Sequence, residues 1–341
     1  MPKPQESIIS IVGSESLLGR ELRDQIADRK IQGRVQLIGS DDKVTGILSA
    51  QAEEAVVLTA LDADRLQNSD IVFLAGSVES SHRALGMLAE GKPGPTFIDL
   101  TGGLEDQPNG RLRSPFTEPD GYFVPPGSIH IIAHPAAMVL SLVLARIQKQ
   151  FPIEQSVVHI LEPASERGQA GINELQQQTA SLLAFKPLNK EVFDAQASFN
   201  VLPRYGSEAP ERLEDIEQKI DRHSATLLGM ANEIPLPSLR LVQAPVFHGH
   251  SFSFWIRFRE AASASGVSEA LASAQIEVRA ADLDPPSNVG SVGQSGVTTG
   301  LIEPDRNDPK AIWMWAVADN FHITVENAIE VGRTLLQERG A

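Results

Sequence analysis

Gly13-Ser14-Glu15-Ser16-Leu17-Leu18-Gly19 lies between an apolar strand-like run and a helix-like one. In that setting backbone N–H groups and a helix N-terminus can face a pyrophosphate, which makes Gly13, Ser16 and Gly19 candidate dinucleotide contacts. The turn departs from the dinucleotide fingerprint at its middle glycine, where Ser16 brings a side chain, and Glu15 adds negative charge beside it. Both features weaken the expected binding. Asp41 and Asp42 follow a second apolar run, just after Ser40. A carboxylate there accepts hydrogen bonds from a ribose diol and repels a 2′-phosphate, so NAD is favoured over NADP. Farther along, His248 and His250 form an H-x-H pair that would face one side of a strand. With Glu162 or His134 it has the residue types of a metal site, but no metal is expected.

Composition removes other chemistries. The chain has 341 residues, 29 Lys+Arg against 44 Asp+Glu, a formal charge of −15 and no cysteine. Phosphate backbones are held by clustered Lys and Arg, so nucleic acid is a poor partner. Without cysteine there is no disulfide, thiolate metal site, iron–sulfur cluster or cysteine nucleophile. With 42% hydrophobic and 21% charged residues, the chain can bury a sizeable core, and its length suggests two domains of roughly 150 residues. The opening MPKPQESIISIVG has neither the charged and apolar regions nor the cleavage site of a secretory signal, so the expected location is the cytoplasm. The most apolar stretch, Pro135 to Ala145, falls well short of the roughly 20 residues of a membrane span and reads as a buried helix.

The elements that would position these residues follow a clear pattern. Ser7 to Val12, Val35 to Gly39, Asp70 to Leu74 and Thr96 to Asp99 are buried-strand candidates, with helical patterns between them such as Leu17 to Ala27 and Glu79 to Glu90. Alternation of this kind indicates βαβ units and a parallel sheet. After Pro135 the texture becomes α+β: a long apolar helix, a strand at Val157 to Leu161, a Gln-rich helix through Gln178 and a strictly alternating strand from Ser251 to Phe258. Asn288 to Gly300 reads as a long loop, Glu208 to Asp221 as a solvated helix face, and Thr324 to Arg339 as a helix returning to the first domain.

Along nearly its whole length the sequence resembles the aspartate-semialdehyde dehydrogenases, and among them the Usg-type paralogues that lack the nucleophile. The matching segments, specific in their order, are Phe199-Asn200-Val201-Leu202-Pro203, Gln243-Ala244-Pro245-Val246-Phe247-His248-Gly249-His250-Ser251 and Trp315-Ala316-Val317-Ala318-Asp319-Asn320. The resemblance implies an α/β fold. A Rossmann-type parallel-sheet domain would span 1–134, an α+β catalytic and dimerisation domain 135–319, and a C-terminal helix 320–341 would pack on the first domain. It also implies homodimers or homotetramers, with no membrane partner. The implied reaction is phosphate-dependent oxidation of L-aspartate 4-semialdehyde through a cysteine thioester.

Residue by residue, the nucleophile of the family's Asn-Pro-Asn-Cys turn corresponds to Ala137 in His134-Pro135-Ala136-Ala137. The active-site glutamine corresponds to Glu162, and the family's Ser-Gly-Ala-Gly turn reads Ser165-Glu166-Arg167-Gly168. The phosphate-binding arginine corresponds to Glu105, and the arginine that clamps the substrate carboxylate to Gln243. What remains is His250 in the general-base position and Lys219 in a second anion-binding position, although the glutamate expected three residues before that lysine is Ile216, beside Glu217. The expected cofactor contacts are Gly13, Ser16, Gly19, Ser40, Asp41, Gly76 and Asn320. Loss of a nucleophile costs on the order of 10⁶ in turnover.

The expectation is therefore a catalytically impaired relative whose fold serves binding or assembly, with an active paralogue as a further partner to test. On its own account His250 reads as a hydrogen-bonded histidine on a buried strand. The alternative is NAD-dependent reduction or oxidation of another carbonyl compound by direct hydride transfer, with His250 as acid or base. Whole-chain similarity alone would imply an active semialdehyde dehydrogenase, which Ala137, Glu105, Gln243 and Glu162 oppose.

Overall fold

A computed structural model describes residues 7–41, 43, 46–48, 56–88, 94–230 and 234–340. The chain divides into two compact units. One combines the described residues up to Pro115 with Asp120–Ala133 and the chain from Thr324 onward; the other comprises Phe116–Pro119 and His134–Ile323.

In the first unit β1 (Ile8–Val12), α1 (Leu17–Asp28), β2 (Arg34–Ile38), a short antiparallel pair β3 (Gly46–Leu48) and β4 (Val56–Leu58), α2 (Ala63–Gln67), β5 (Ile71–Leu74), α3 (Val78–Gly86), β6 (Thr96–Asp99), β7 (Gly110–Arg113) and β8 (Ile129–Ile132) follow in turn. Six of these strands form one parallel sheet in the order β2-β1-β5-β6-β8-β7. Central strands of such a sheet are covered on both faces and so read as unbroken apolar runs; Ile71, Val72, Phe73 and Leu74 of β5 are all buried. Helix α3 stops at Gly86, and Glu90, where the sequence pattern ended, lies outside the described residues.

The second unit holds α4 (Pro135–Gln148), β9 (Ile153–Glu162), a 3-10 turn at Ala164–Arg167, α5 (Gly168–Leu183), α6 (Leu213–Met230), β10 (Ser238–Gln243), β11 (His250–Phe258), α7 (Ala264–Leu271), β12 (Ile276–Val278), α8 (Asn288–Ser291), β13 (Val297–Pro304), β14 (Ala311–Ala318) and the start of α9 (Asn320–Gly340). Its mixed sheet has the order β10-β9-β11-β14-β13-β12. Along β11, Phe252, Phe254, Ile256 and Phe258 are buried, while Ser253, Trp255 and Arg257 face the other way. Trp255 lies opposite Trp313 and Ser253 opposite Trp315, so all three tryptophans occupy that second face, where Trp313 is 41% exposed. Asp305 Oδ2 accepts both the Trp255 and Trp313 indole N–H groups, at 2.9 and 2.7 Å.

Two expectations are corrected. Asn288 to Gly300 is not one loop: Ser287 caps α8 through the Gly290 N–H, and the β-branched run Val297-Thr298-Thr299 joins the sheet as β13. The charged segment from Glu208 becomes helical only at Leu213, after Pro210, whose ring biases the preceding residue away from helical geometry. Among the described residues, no helix is long and apolar enough to cross a membrane.

Two polar side chains of α5 hold the segment that leads to the site. Buried Glu174 accepts the backbone N–H groups of Val192 and Phe193 at 2.6 and 3.2 Å. Buried Gln178 accepts those of Ala197 and Ser198 at 2.8 and 3.1 Å and donates to the carbonyls of Asn189 and Ala195 at 2.8 and 2.9 Å. Gln178→Ala leaves these buried groups unsatisfied and is expected to cost on the order of 3 kcal/mol. Urea unfolding would measure that loss, and limited proteolysis should cut within 186–200.

Candidate functional site

In the first unit the glycine turn is built by close backbone packing. Gly13 has φ of +79°, and a Cβ there would lie 2.2 Å from the Gly76 Cα. A Cβ on Gly19 would lie 2.3 Å from the Gly13 carbonyl oxygen, and one on Gly76 would lie 3.3 Å from the Ser40 Cβ. The structure thus brings Gly13, Gly19, Gly76 and Ser40 together at one corner. The Ser16 side chain lies at that corner, bonded to its backbone. Its Oγ accepts the Gly19 N–H at 2.8 Å, capping α1, and donates to the Ala75 carbonyl at 2.6 Å. Glu15 Oε1 accepts the Ser40 N–H at 3.0 Å, and its Oε2 is buried without a hydrogen-bond partner among the described residues. Asp41 Oδ1 accepts the Lys43 N–H at 2.7 Å, and Asp42 lies outside the described residues. The chemistry of this corner fits a nicotinamide dinucleotide at one atom: the orphaned Glu15 carboxylate oxygen is an acceptor that a ribose hydroxyl would complement. Glu105 stands beyond a turn nucleated by buried Asp99, which accepts the N–H groups of Thr101 and Leu104 at 2.9 and 2.8 Å.

In the second unit a buried polar cluster gathers around the 3-10 turn. Glu162, at the end of β9, is wholly buried and pairs through Oε1 with Arg167 Nη2 at 3.0 Å; Arg167 also pairs with Glu211. Glu166 reaches the opposite side, where Asn320 Nδ2 donates to its Oε1 at 2.8 Å, His250 Nδ1 lies 4.0 Å away and His134 Nε2 lies 3.6 Å from Oε2. Asn320 Oδ1 in turn accepts from Ser165 Oγ at 3.2 Å and the Gly249 N–H at 3.1 Å. Gln243 is held by Tyr205, whose hydroxyl donates to its Oε1 at 2.7 Å, while its own amide donates to the carbonyls of Glu162 and Ala244 at 2.9 Å each. Lys219 is close enough to influence the charge states of both His134 and Glu166.

His134 caps α4, Nδ1 accepting the Ala136 N–H at 3.2 Å, and Pro135 supplies the first helical residue. With Nδ1 an acceptor, the neutral ring carries its proton on Nε2, toward Glu166. The His134 N–H donates to His223 Nδ1 at 2.9 Å. Ala137 follows as the third residue of α4, fully buried. His250 is not the hydrogen-bonded histidine expected from sequence: neither ring nitrogen has a hydrogen-bond partner among the described residues. His248 is not its same-face neighbour either. Gly249, with φ of +80°, turns the chain before β11 begins, and the His248 ring meets Phe321 at 6.1 Å between centroids.

Burial sets the charge states. It pushes the Glu162 carboxyl up to about 7 against the pull of Arg167, with Glu166 adding to the rise. It also raises Glu166, opposed by Arg167 and the Asn320 hydrogen bond. Burial lowers His250 to about 3, helped by the Arg167 charge, and holds His134 well below the usual imidazole range. At neutral pH both imidazoles are neutral. Sequence reading assigned no role to Glu166 and Arg167 beyond their bulk and charge; two charges in a turn that precedes a helix with an otherwise uncharged first turn were the available signal.

The family model for the semialdehyde dehydrogenase dimerisation domain matches residues 144–323. The chain is 27% identical to a USG-1 protein homolog of Pseudomonas aeruginosa over 96% of this chain and 97% of that protein. Among solved structures, a probable aspartate-semialdehyde dehydrogenase from Pseudomonas aeruginosa superposes with a TM-score of 0.83 at 26% identity, covering 97% of this chain and 99% of that one. An aspartate semialdehyde dehydrogenase with NADP from Candida albicans shares the fold, with a TM-score of 0.69 at 15% identity over 98% of this chain and 100% of that one.

The two perturbed groups give opposite pH slopes. His250, lowered from 6.5 to about 3, contributes stability that is present above pH 6.5 and lost as the pH falls toward about 3. Glu162, raised from 4.5 to about 7, contributes stability that is present below pH 4.5 and lost as the pH rises through about 7. In thermal melts His250→Asn should therefore lose less Tm than the native protein between pH 7 and 4, and Glu162→Gln less between pH 5 and 8.

Proposed function

The chain belongs to the semialdehyde dehydrogenase family, and from that premise we propose that it keeps a nucleotide-binding and dimerising framework but has lost phosphate-dependent oxidation of L-aspartate 4-semialdehyde. The observation that carries this reading is Ala137, a buried methyl group at the third position of α4 in a chain without cysteine. Thioester chemistry begins with attack by a thiolate lone pair on the aldehyde carbon, and a methyl group has none.

The surrounding residues support the same reading. A substrate carboxylate would meet Gln243, whose amide and carbonyl are already engaged by Tyr205 and two backbone carbonyls. Arg167 is tied to Glu162 and Glu211. Glu105 would repel the phosphate that the reaction consumes. A nicotinamide cofactor, when bound, supplies hydride acceptance; Gly13, Gly19, Gly76, Ser40 and Glu15 would hold its adenosine end, with NAD preferred.

A second reading rests on the unpartnered ring nitrogens of His250. A neutral imidazole there can donate a hydrogen bond to the carbonyl oxygen of another substrate during direct hydride transfer. Under this reading His250→Ala abolishes turnover; under the first there is none to abolish.

For assembly we propose a cytoplasmic homodimer, or a mixed oligomer with an active paralogue, formed across the sheet face that carries Trp255, Trp313 and Trp315. Aromatic residues on an open face are the anchors of such interfaces.

Assayed with L-aspartate 4-semialdehyde, phosphate and either NAD or NADP, the purified protein should turn over at least about 10⁶-fold more slowly than an enzyme with its nucleophile. Ala137→Cys alone should not restore activity, because Glu105 and Gln243 remain. Measurable native turnover would refute the proposal. In sedimentation velocity, Trp313→Glu should shift the native oligomer toward monomer.

A further inference from the structure

Glu15 stands in the turn from β1 to α1, yet its carboxylate reaches the end of β2. One oxygen accepts the Ser40 backbone N–H at 3.0 Å. The other is buried and has no hydrogen-bond partner among the described residues. Ser40, which Glu15 holds, stands against Gly76, and the backbone of Gly76 meets that of Gly13. The end of β2 is where an adenosine ribose lies in dinucleotide-binding folds of this type.

A buried acceptor of this kind is complemented by a donor. A ribose 2′-hydroxyl supplies a hydrogen; a 2′-phosphate supplies only further acceptor oxygens and negative charge. The Ser40 N–H, which would be one donor available to a 2′-phosphate, is already committed to Glu15. Asp41, the residue that sequence position alone singles out, spends Oδ1 on the Lys43 N–H.

Building on the cofactor reading above, we propose that Glu15 is the specificity-determining residue of the nucleotide site. Its Oε2 takes the hydrogen of a ribose hydroxyl, and its charge, together with its hold on the Ser40 amide, excludes a 2′-phosphate. Discrimination of this kind is a difference of two affinities, built as much from repulsion of the wrong ligand as from attraction of the right one. Charge selection thus comes from a residue of the glycine turn.

Calorimetric titration of the full chain with NADH and NADPH tests this, using the native protein, Glu15→Gln and Asp41→Asn. The native protein should bind NADH at least about tenfold more tightly than NADPH. Glu15→Gln should reduce that preference by about tenfold, chiefly through tighter NADPH binding, and Asp41→Asn should leave it within about twofold. A melting curve establishes that Glu15→Gln folds; if it does not, Glu15→Ser carries the same test. An unchanged preference in the Glu15 variant overturns this inference and leaves the cofactor reading standing; a native preference for NADPH overturns both this inference and the NAD preference of that reading, leaving nucleotide binding alone. No binding of either nucleotide by any of the three proteins overturns both.

Discussion

The buried ion pair between Glu162 and Arg167 organises the interior of the second unit. Glu162 has no exposed surface, and a lone carboxylate so placed would be neutral or strongly destabilising. Satisfying it requires a guanidinium brought in by the turn that follows β9, which fixes the path of residues 164–167. That path sends Glu166 the other way, into the hydrogen bond from Asn320, and Asn320 in turn ties Ser165 to Gly249 at the threshold of β11. The position of His250 is downstream of all these bonds. Removing one partner of such a pair costs about 3–5 kcal/mol because it strands the other.

The same cluster spends most of its polar groups internally. Its polar side chains satisfy one another: Gln243 is engaged by Tyr205 and two carbonyls, and Arg167 by two glutamates. Internal satisfaction favours a stable, ordered interior, whereas a binding site holds groups that await a ligand. In this cluster both His250 ring nitrogens, Glu162 Oε2 and Arg167 Nε are buried without a hydrogen-bond partner among the described residues. A common framework can host several roles, so the proposed loss of thioester chemistry requires no change of fold.

The parallel sheet was legible because strands covered on both faces must be continuously apolar, as Ile71 to Leu74 are, and β11 because alternation with period two survives in Phe252, Phe254, Ile256 and Phe258. The long helix α4 was legible from its apolar residues alone. What failed were statements that depended on partners distant in sequence. His250 looked satisfied by its strand, yet its neighbours come from the turn after β9 and the start of α4, and neither bonds it closely. The H-x-H pattern assumed an extended backbone that Gly249 breaks. The segment Asn288 to Gly300 hid its strand because glycines and serines dominate its composition, while Val297 to Thr299 follow the β-branched rule.

The contact between Gly13 and Gly76 bears on how sequence fingerprints are interpreted. A side chain at Gly13 would overlap the backbone of Gly76 whether or not any nucleotide were bound, since the obstruction lies between two strand ends of the same sheet. Selection for a foldable protein alone would retain glycine there after every ligand had been lost. The informative positions of such a turn are those whose side chains reach outward from a framework that sterics already demand. A glycine signature can therefore outlast its original use as a relic of architecture, and functional divergence will be written first in its neighbours.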